Sequence, residues 1–285
     1  MLELPWNLDP AEPAPSPHPG QRSRGFSLPG AGPTAAISFC TIATLFVLWV
    51  CASESGWIKP LFLPTPRAVW EQLSDYALGR ANDQSLAVHL GASLARVGGA
   101  FLLACVTGIP LGIAMGVSRL ARGIADPVLE FYRPLPPLSY LPLIIIWCGI
   151  GEWPKVLLIY LSCLAPLALA ARSGLRSAAV EQVRAAASMG ADRWQLVRFV
   201  LLPAALPEIL VGMRIALGFG WTTLVAAEMV AASRGMGQLV LNASNFLRTD
   251  IVVMGILVIG SVAYLIDLSM RRLEARLVPW RGRLA

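Results

Sequence analysis

The strongest constraint on this chain is a series of long, nearly uncharged apolar runs. A bilayer core of ~30 Å takes about 20 helical residues to cross, and only helices or closed barrels satisfy every backbone polar group there. Runs of that kind cover Ala35 to Ala52, Val97 to Val117, Val128 to Ile150, Val156 to Ala171, Ile209 to Ala231 and Ile251 to Leu268. No useful stretch alternates with the period of a strand. The expected fold is therefore an all-α polytopic membrane protein with six transmembrane helices. The third run is interrupted early by Pro134, Pro136, Pro137 and Pro142, each of which opposes a continuous helix. Charged residues make up only 14% of the chain, too few to cover a soluble protein of 285 residues.

The segment before the first run, residues 1–34, is rich in Pro, Gly and Ser and is expected to be a disordered cytoplasmic tail. The membrane-spanning body would occupy 35–285. The first run is too long, and its leader too proline-rich, for an ordinary secretory signal, so it is expected to stay as a transmembrane helix. With the N-terminus placed inside, arginines and lysines favour the inside segments about two to one, and both termini become cytoplasmic. In that count Arg96 and Lys155 fall in outside segments. The arginines flank apolar runs and form no dense tract with aromatics, which argues against nucleic acid as a partner; membrane lipid is the expected surroundings. The long first outside connection carries Val69, Trp70 and Leu73 at helical spacing after Pro66, an amphipathic helix at the interface.

Catalytic and metal chemistry find no constellation. The cysteines Cys40, Cys51, Cys105, Cys148 and Cys163 lie in apolar stretches without a Cys-x-x-Cys pair. His18 and His89 are isolated and fall outside the runs, and Asp267 stands alone near a helix end, so neither an intramembrane enzyme with a catalytic pair nor a metal site is expected. There is no Gly-x-x-x-x-Gly-Lys-Ser/Thr loop, so the chain is expected to bind no nucleotide. A stand-alone channel or ion-coupled transporter would favour inverted repeats with broken helices, and no convincing repeat is present.

The most informative segment lies between the fourth and fifth runs. Small residues make Val183 to Met189 a slim helix, Gly190 suits a left-handed stop, and Asp192 with Gln195 forms a capping box for a second helix that Pro203 would end. The product is an elbow of two short helices. Arg184, Ala185, Ala186, Ser188, Met189, Gly190, Ala191, Asp192 and Pro203 carry it.

This segment resembles the Glu-Ala-Ala loop of binding-protein-dependent ABC importer permeases, in which Glu-Ala-Ala, three residues, Gly, nine residues and Ile-x-Leu-Pro follow in order. Ala185, Ala186, Gly190, Val200, Leu202 and Pro203 match, while Arg184 stands where the pattern has glutamate. Further stretches, among them Leu61 to Pro66, Phe131 to Pro137, Ile146 to Glu152, Gly220 to Glu228 and Leu277 to Gly282, are similar to the nitrate, sulfonate and taurine branch, and most of all to taurine permeases. The resemblance implies a type I importer core, a coupling helix that docks on an ATPase subunit dimer, and a second permease copy. It also implies a periplasmic solute-binding protein and a place in the bacterial inner membrane. ATP and Mg would sit on the ATPase subunit and no cofactor on this chain.

Two further patterns leave alternatives open. Gly108, Gly112 and Gly116 share one helix face and permit close backbone approach, either at a pore or copy-to-copy face or within the chain. Arg214, Trp221 and Glu228, with Thr222 and Thr223 beside them, form a stripe that would line a translocation path. Alternatively, Arg214 and Glu228 snorkel to opposite interfaces, since they stand ~21 Å apart along a helix.

Overall fold

The computed structural model describes residues 35–56, 58–80 and 84–279. The Pro-rich segment 1–34 lies outside the described residues, as does the end of the chain from Trp280. Of the described residues, those up to Val47 and those from Leu48 onward fall into two units, and helix α1 spans Ala35–Glu54. All the remaining helices belong to the second unit.

Among the described residues every regular element is helical. Among the described residues five helices are long and apolar enough to cross a membrane: α1, α3 (Leu86–Val117), α6 (Glu152–Leu175), α9 (Leu202–Ala231) with its N-terminal extension, and α11 (Thr249–Leu277). The expected third run is not one helix. Its start belongs to α4 (Arg119–Tyr132), its prolines form a 3-10 turn at Pro137–Ser139, and only α5 (Leu141–Cys148) follows. The reason is local: Pro134, Pro136 and Pro137 lack the N–H groups a helix needs, and Pro136, ahead of Pro137, is held extended at ψ 127°.

Shorter elements fill the ends. Helix α2 (Pro66–Ala77) opens at Thr65, whose hydroxyl accepts from Ala68 N at 3.3 Å, with Pro66 as the first helical residue. Its Val69 and Tyr76 are buried against Leu239 of α10 (Met236–Asn245) and Met254 of α11, whereas Trp70 is exposed. Arg122 donates to the last carbonyls of α3, Met115 O at 3.1 Å and Gly116 O at 3.2 Å, and so satisfies acceptors the helix end leaves open.

The core is the parallel pair α3 and α6 with α9 laid antiparallel against α6. Small residues make this possible. Gly108, Gly112 and Gly116 face α6: a Cβ on Gly108 would stand 3.1 Å from Leu164 Cδ1, and one on Gly112 would collide with the Ala168 carbonyl. Their packing is thus within the chain. Gly174, Gly212 and Gly220 do the same between α6 and α9, Gly220 lying over Cys163 Sγ. Around these contacts Ala100, Ala104, Leu167, Ala216 and Leu224 are buried.

Substituting Gly112 by Leu is expected to cost about 2–3 kcal/mol through overpacking, read as a lower melting temperature of the detergent-solubilised protein. Gly98→Ala, at a position with nothing within 4 Å, should leave melting unchanged.

Candidate functional site

Two features stand at opposite ends of the α6–α9 pair. At the end where α6 begins and α9 finishes, ionisable groups converge from three helices. Arg96 of α3, only 7% exposed, donates Nε to Glu152 Oε2 at 2.5 Å and Nη2 to Glu152 Oε1 at 3.0 Å. Its Nη1 donates to Glu228 Oε1 at 2.7 Å and to the Arg234 carbonyl at 2.6 Å. Lys155, one turn into α6 and equally enclosed, donates to Glu152 Oε1 at 2.7 Å. Two cations therefore meet two anions. Glu228 is fully buried, and its remaining lone pairs take Ser93 Oγ at 2.8 and 2.9 Å and Gly237 N–H at 3.0 Å. Met236 N–H donates to Ser93 Oγ at 3.0 Å, and Gly235 N–H to His89 Nδ1 at 3.2 Å.

Local sequence explains the convergence. His89, Ser93 and Arg96 recur at i, i+4 and i+7 along one face of α3. Gly235, with φ +138°, turns the chain after α9 so that α10 starts over the Glu228 carboxylate, and a Cβ on either Gly235 or Gly237 would strike that side chain.

At the other end is the elbow. Helix α7 (Val180–Ser188) stops at Gly190, φ +86°, where Gly190 N–H donates to Ala187 O at 3.0 Å and Ala191 N–H to Ala186 O at 3.1 Å. That double bond set closes a helix through a left-handed glycine. Asp192 Oδ1 accepts from Gln195 N at 2.7 Å and Gln195 Oε1 from Asp192 N at 2.9 Å, the capping box expected from sequence, and the box opens α8 (Arg193–Gln195). Pro203 does not end the second arm. A π-helical stretch, Leu196–Leu201, carries α8 into α9, and its wider turn takes the proline ring without breaking the helix. The second arm of the elbow is thus the prolongation of a membrane helix. Arg184, Met189, Trp194 and Phe199 are exposed on the elbow, Met189 by 82%.

Between the ends, the stripe on α9 splits. Arg214, Trp221 and Thr222 border a crevice of about 240 Å³ against α11, where Arg214 pairs with Asp267 and Glu274, both at 3.7 Å. Trp221 and Thr223 are buried, Thr222 is exposed, and Glu228 lies in the ionic cluster instead. A neighbouring face of α9 borders a larger cleft of about 510 Å³, walled by α6 and by the proline-rich segment after α4.

The sequence pattern of binding-protein-dependent transport system inner membrane components matches residues 108–279. The chain belongs to this family. The taurine transport system permease protein TauC of Escherichia coli K12 is 51% identical over 247 residues, covering 86% of this chain and 90% of that protein. A putative aliphatic sulfonates transport permease protein, SsuC of Bacillus subtilis, is 33% identical over 84% of this chain and 86% of its own length. Among solved structures, an inward-facing MetNI methionine ABC transporter chain superposes with a TM-score of 0.59 at 20% identity, over 66% of this chain and 94% of that one. That likeness supports the fold, an ABC importer permease core.

In this permease the residues missed by sequence reasoning are those of the ionic cluster. Hydropathy starts the second span at Val97, so His89, Ser93 and Arg96 fall in a loop; the helix in fact begins at Leu86 and encloses all three. His89 is therefore a buried helical residue, and Arg96 and Lys155 are not loop cations available to a topology count. Helical spacing of the polar residues was the available signal.

Removing one partner of a buried pair strands the other. Glu228→Ala is expected to destabilise the permease by about 3–5 kcal/mol, with Glu152→Ala milder because Glu152 is 60% exposed. Thermal melting of both variants in nanodiscs checks the order.

Proposed function

We propose that this permease imports taurine, driven by ATP hydrolysed on a separate subunit. The observation that carries the reading is the 51% identity to the Escherichia coli taurine permease across nearly the whole of both chains. Two copies would form the passage, and a periplasmic solute-binding protein would deliver the solute to it. Both termini would be cytoplasmic in the bacterial inner membrane, which puts the ionic cluster at the outer end and the elbow at the inner one.

In this reading the elbow of Arg184, Ala185, Ala186, Ser188, Met189, Gly190, Ala191 and Asp192 docks on an ATPase dimer that holds ATP and Mg. Because the elbow runs without a break through Pro203 into α9, a displacement of the ATPase surface reaches the membrane as a displacement of α9. The passage then alternates between two global states, each biased by different contacts with solute and partners. Helix α9 is the pathway helix. Thr222 and Arg214 stand on its accessible side, Trp221 packs in the core shared with α3 and α6, and Glu228 ties it to Ser93 and Arg96 of α3. The Arg96–Glu152 tie, at the solvent-reached edge of the cluster, is the contact that opens when the outer end parts.

The test is uptake of labelled taurine into proteoliposomes holding the permease, its ATPase and its binding protein. Uptake should require ATP and resist competition by nitrate. ATP hydrolysis stimulated by the loaded binding protein but without taurine uptake would keep the importer and remove taurine as its solute. Gly190→Val forces a branched side chain into a left-handed backbone at about 1–2 kcal/mol, and several-fold weaker stimulation of ATP hydrolysis is expected in the assembled complex.

A further inference from the structure

Ionic groups in the membrane-embedded part of this permease are almost all paired. Arg96 and Lys155 meet Glu152 and Glu228, Arg172 meets Asp126, and Arg214 meets Asp267 and Glu274. The cleft of about 510 Å³ beside α9 departs from that pattern. Arg133, exposed in the segment that follows α4, lines it at one side and borders Arg172 and Arg176 at the other, and Glu208, exposed on the second turn of α9, lines it too. Neither side chain has an ion-pair or hydrogen-bond partner among the described residues. Between and beyond them the walls are mostly apolar, with Leu161 and Leu169 from α6 and Val211 and Phe219 from α9, while Ser162, Ser173 and Tyr140 add hydroxyls. From Glu208 to Phe219 the cleft extends ~16 Å along the helix, at 1.5 Å per residue.

Two unpaired charges of opposite sign on different elements, facing one apolar cleft, suit a small solute that carries both charges on a short carbon chain. We propose that this cleft is the solute-contact site of the permease, Arg133 taking the anionic head and Glu208 the ammonium group, and that Glu208 is what separates aminosulfonates from plain alkanesulfonates. The guanidinium fork matches a sulfonate or carboxylate with two parallel bonds. The carboxylate offers the ammonium a charge-assisted bond, while a solute without an amine leaves Glu208 desolvated and unmatched. The apolar walls accept the methylene chain without holding it, as a site that must release its solute requires. Mounting Glu208 on α9 and Arg133 on the proline-rich segment means that a shift of α9, driven from the elbow, changes the separation of the two charges and so the grip on the solute.

The cleft assignment rests on the taurine reading, and the experiment separates the two. The permease–ATPase complex is placed in nanodiscs without binding protein, and saturation-transfer NMR compares taurine, ethanesulfonate and ethylamine. In the wild type, taurine should compete at least tenfold better than either singly charged analogue, the ratio expected for one charge-assisted bond. Glu208→Gln should bring taurine and ethanesulfonate to parity, Glu208→Asp should keep the preference, and Arg133→Gln should abolish binding of both sulfonates. Equal competition by ethanesulfonate in the wild type, or an unchanged preference in Glu208→Gln, overturns the inference. Taurine uptake by the complete wild-type system is measured alongside: its presence with an unchanged preference sinks only the cleft assignment, and its absence sinks the taurine reading itself.

Discussion

In lipid, helices gain little by exchanging hydrocarbon tails for leucine side chains, so the permease depends on contacts that lipid cannot supply. The close approach of α3, α6 and α9 is the first of these. Glycine at 108, 112 and 116 on one side of α6, and at 212 and 220 on the other, brings backbones within reach of one another and lets many small dispersion gains accumulate. Every other part of the site hangs on that three-helix unit. It sets the ionic cluster at one end, the elbow at the other and the clefts along α9 between them.

The ionic cluster supplies what small-residue packing lacks, which is specificity of register. An apolar helix can slide on its neighbour at modest cost, whereas Arg96 has one position in which it reaches Glu152, Glu228 and the Arg234 carbonyl together. Buried ion pairs add little net stability, because desolvation offsets attraction, but each partner becomes expensive to abandon. A cluster of that kind suits a protein built to occupy a few discrete arrangements. Its outer member, Glu152, is reached by solvent and is the cheapest to release; its inner member, Glu228, is sealed by Ser93 and by the turn at Gly235–Gly237.

The elbow shows how local rules and tertiary demands combine. Gly190 and the Asp192–Gln195 box are backbone solutions legible in a dozen residues, and the structure contains both. Pro203 is different. A proline ordinarily stops a helix, but the π-helical turn before it widens the backbone and the helix goes on. What reads as the end of a short surface helix is the continuous shaft that joins the elbow to the membrane.

Sequence by itself determined the helical class, the membrane setting, the elbow and the family, because each follows from composition, from periodicity or from short-range motifs that depend on neighbours within a few residues. It also marked the proline-rich break, though not that the third run would yield only a short helix. Tertiary structure alone decided the partners of the charges. His89, Ser93 and Arg96 lie ahead of the apolar run that signals their span, and Glu152, Lys155 and Glu228 come from segments tens of residues away, so their grouping depends on how α3, α6 and α9 pack. Hydropathy averages over a window and is blind to which face of a helix a charge occupies. Only the packed helices show which charges meet one another and which, like Arg133 and Glu208, are left facing a cleft.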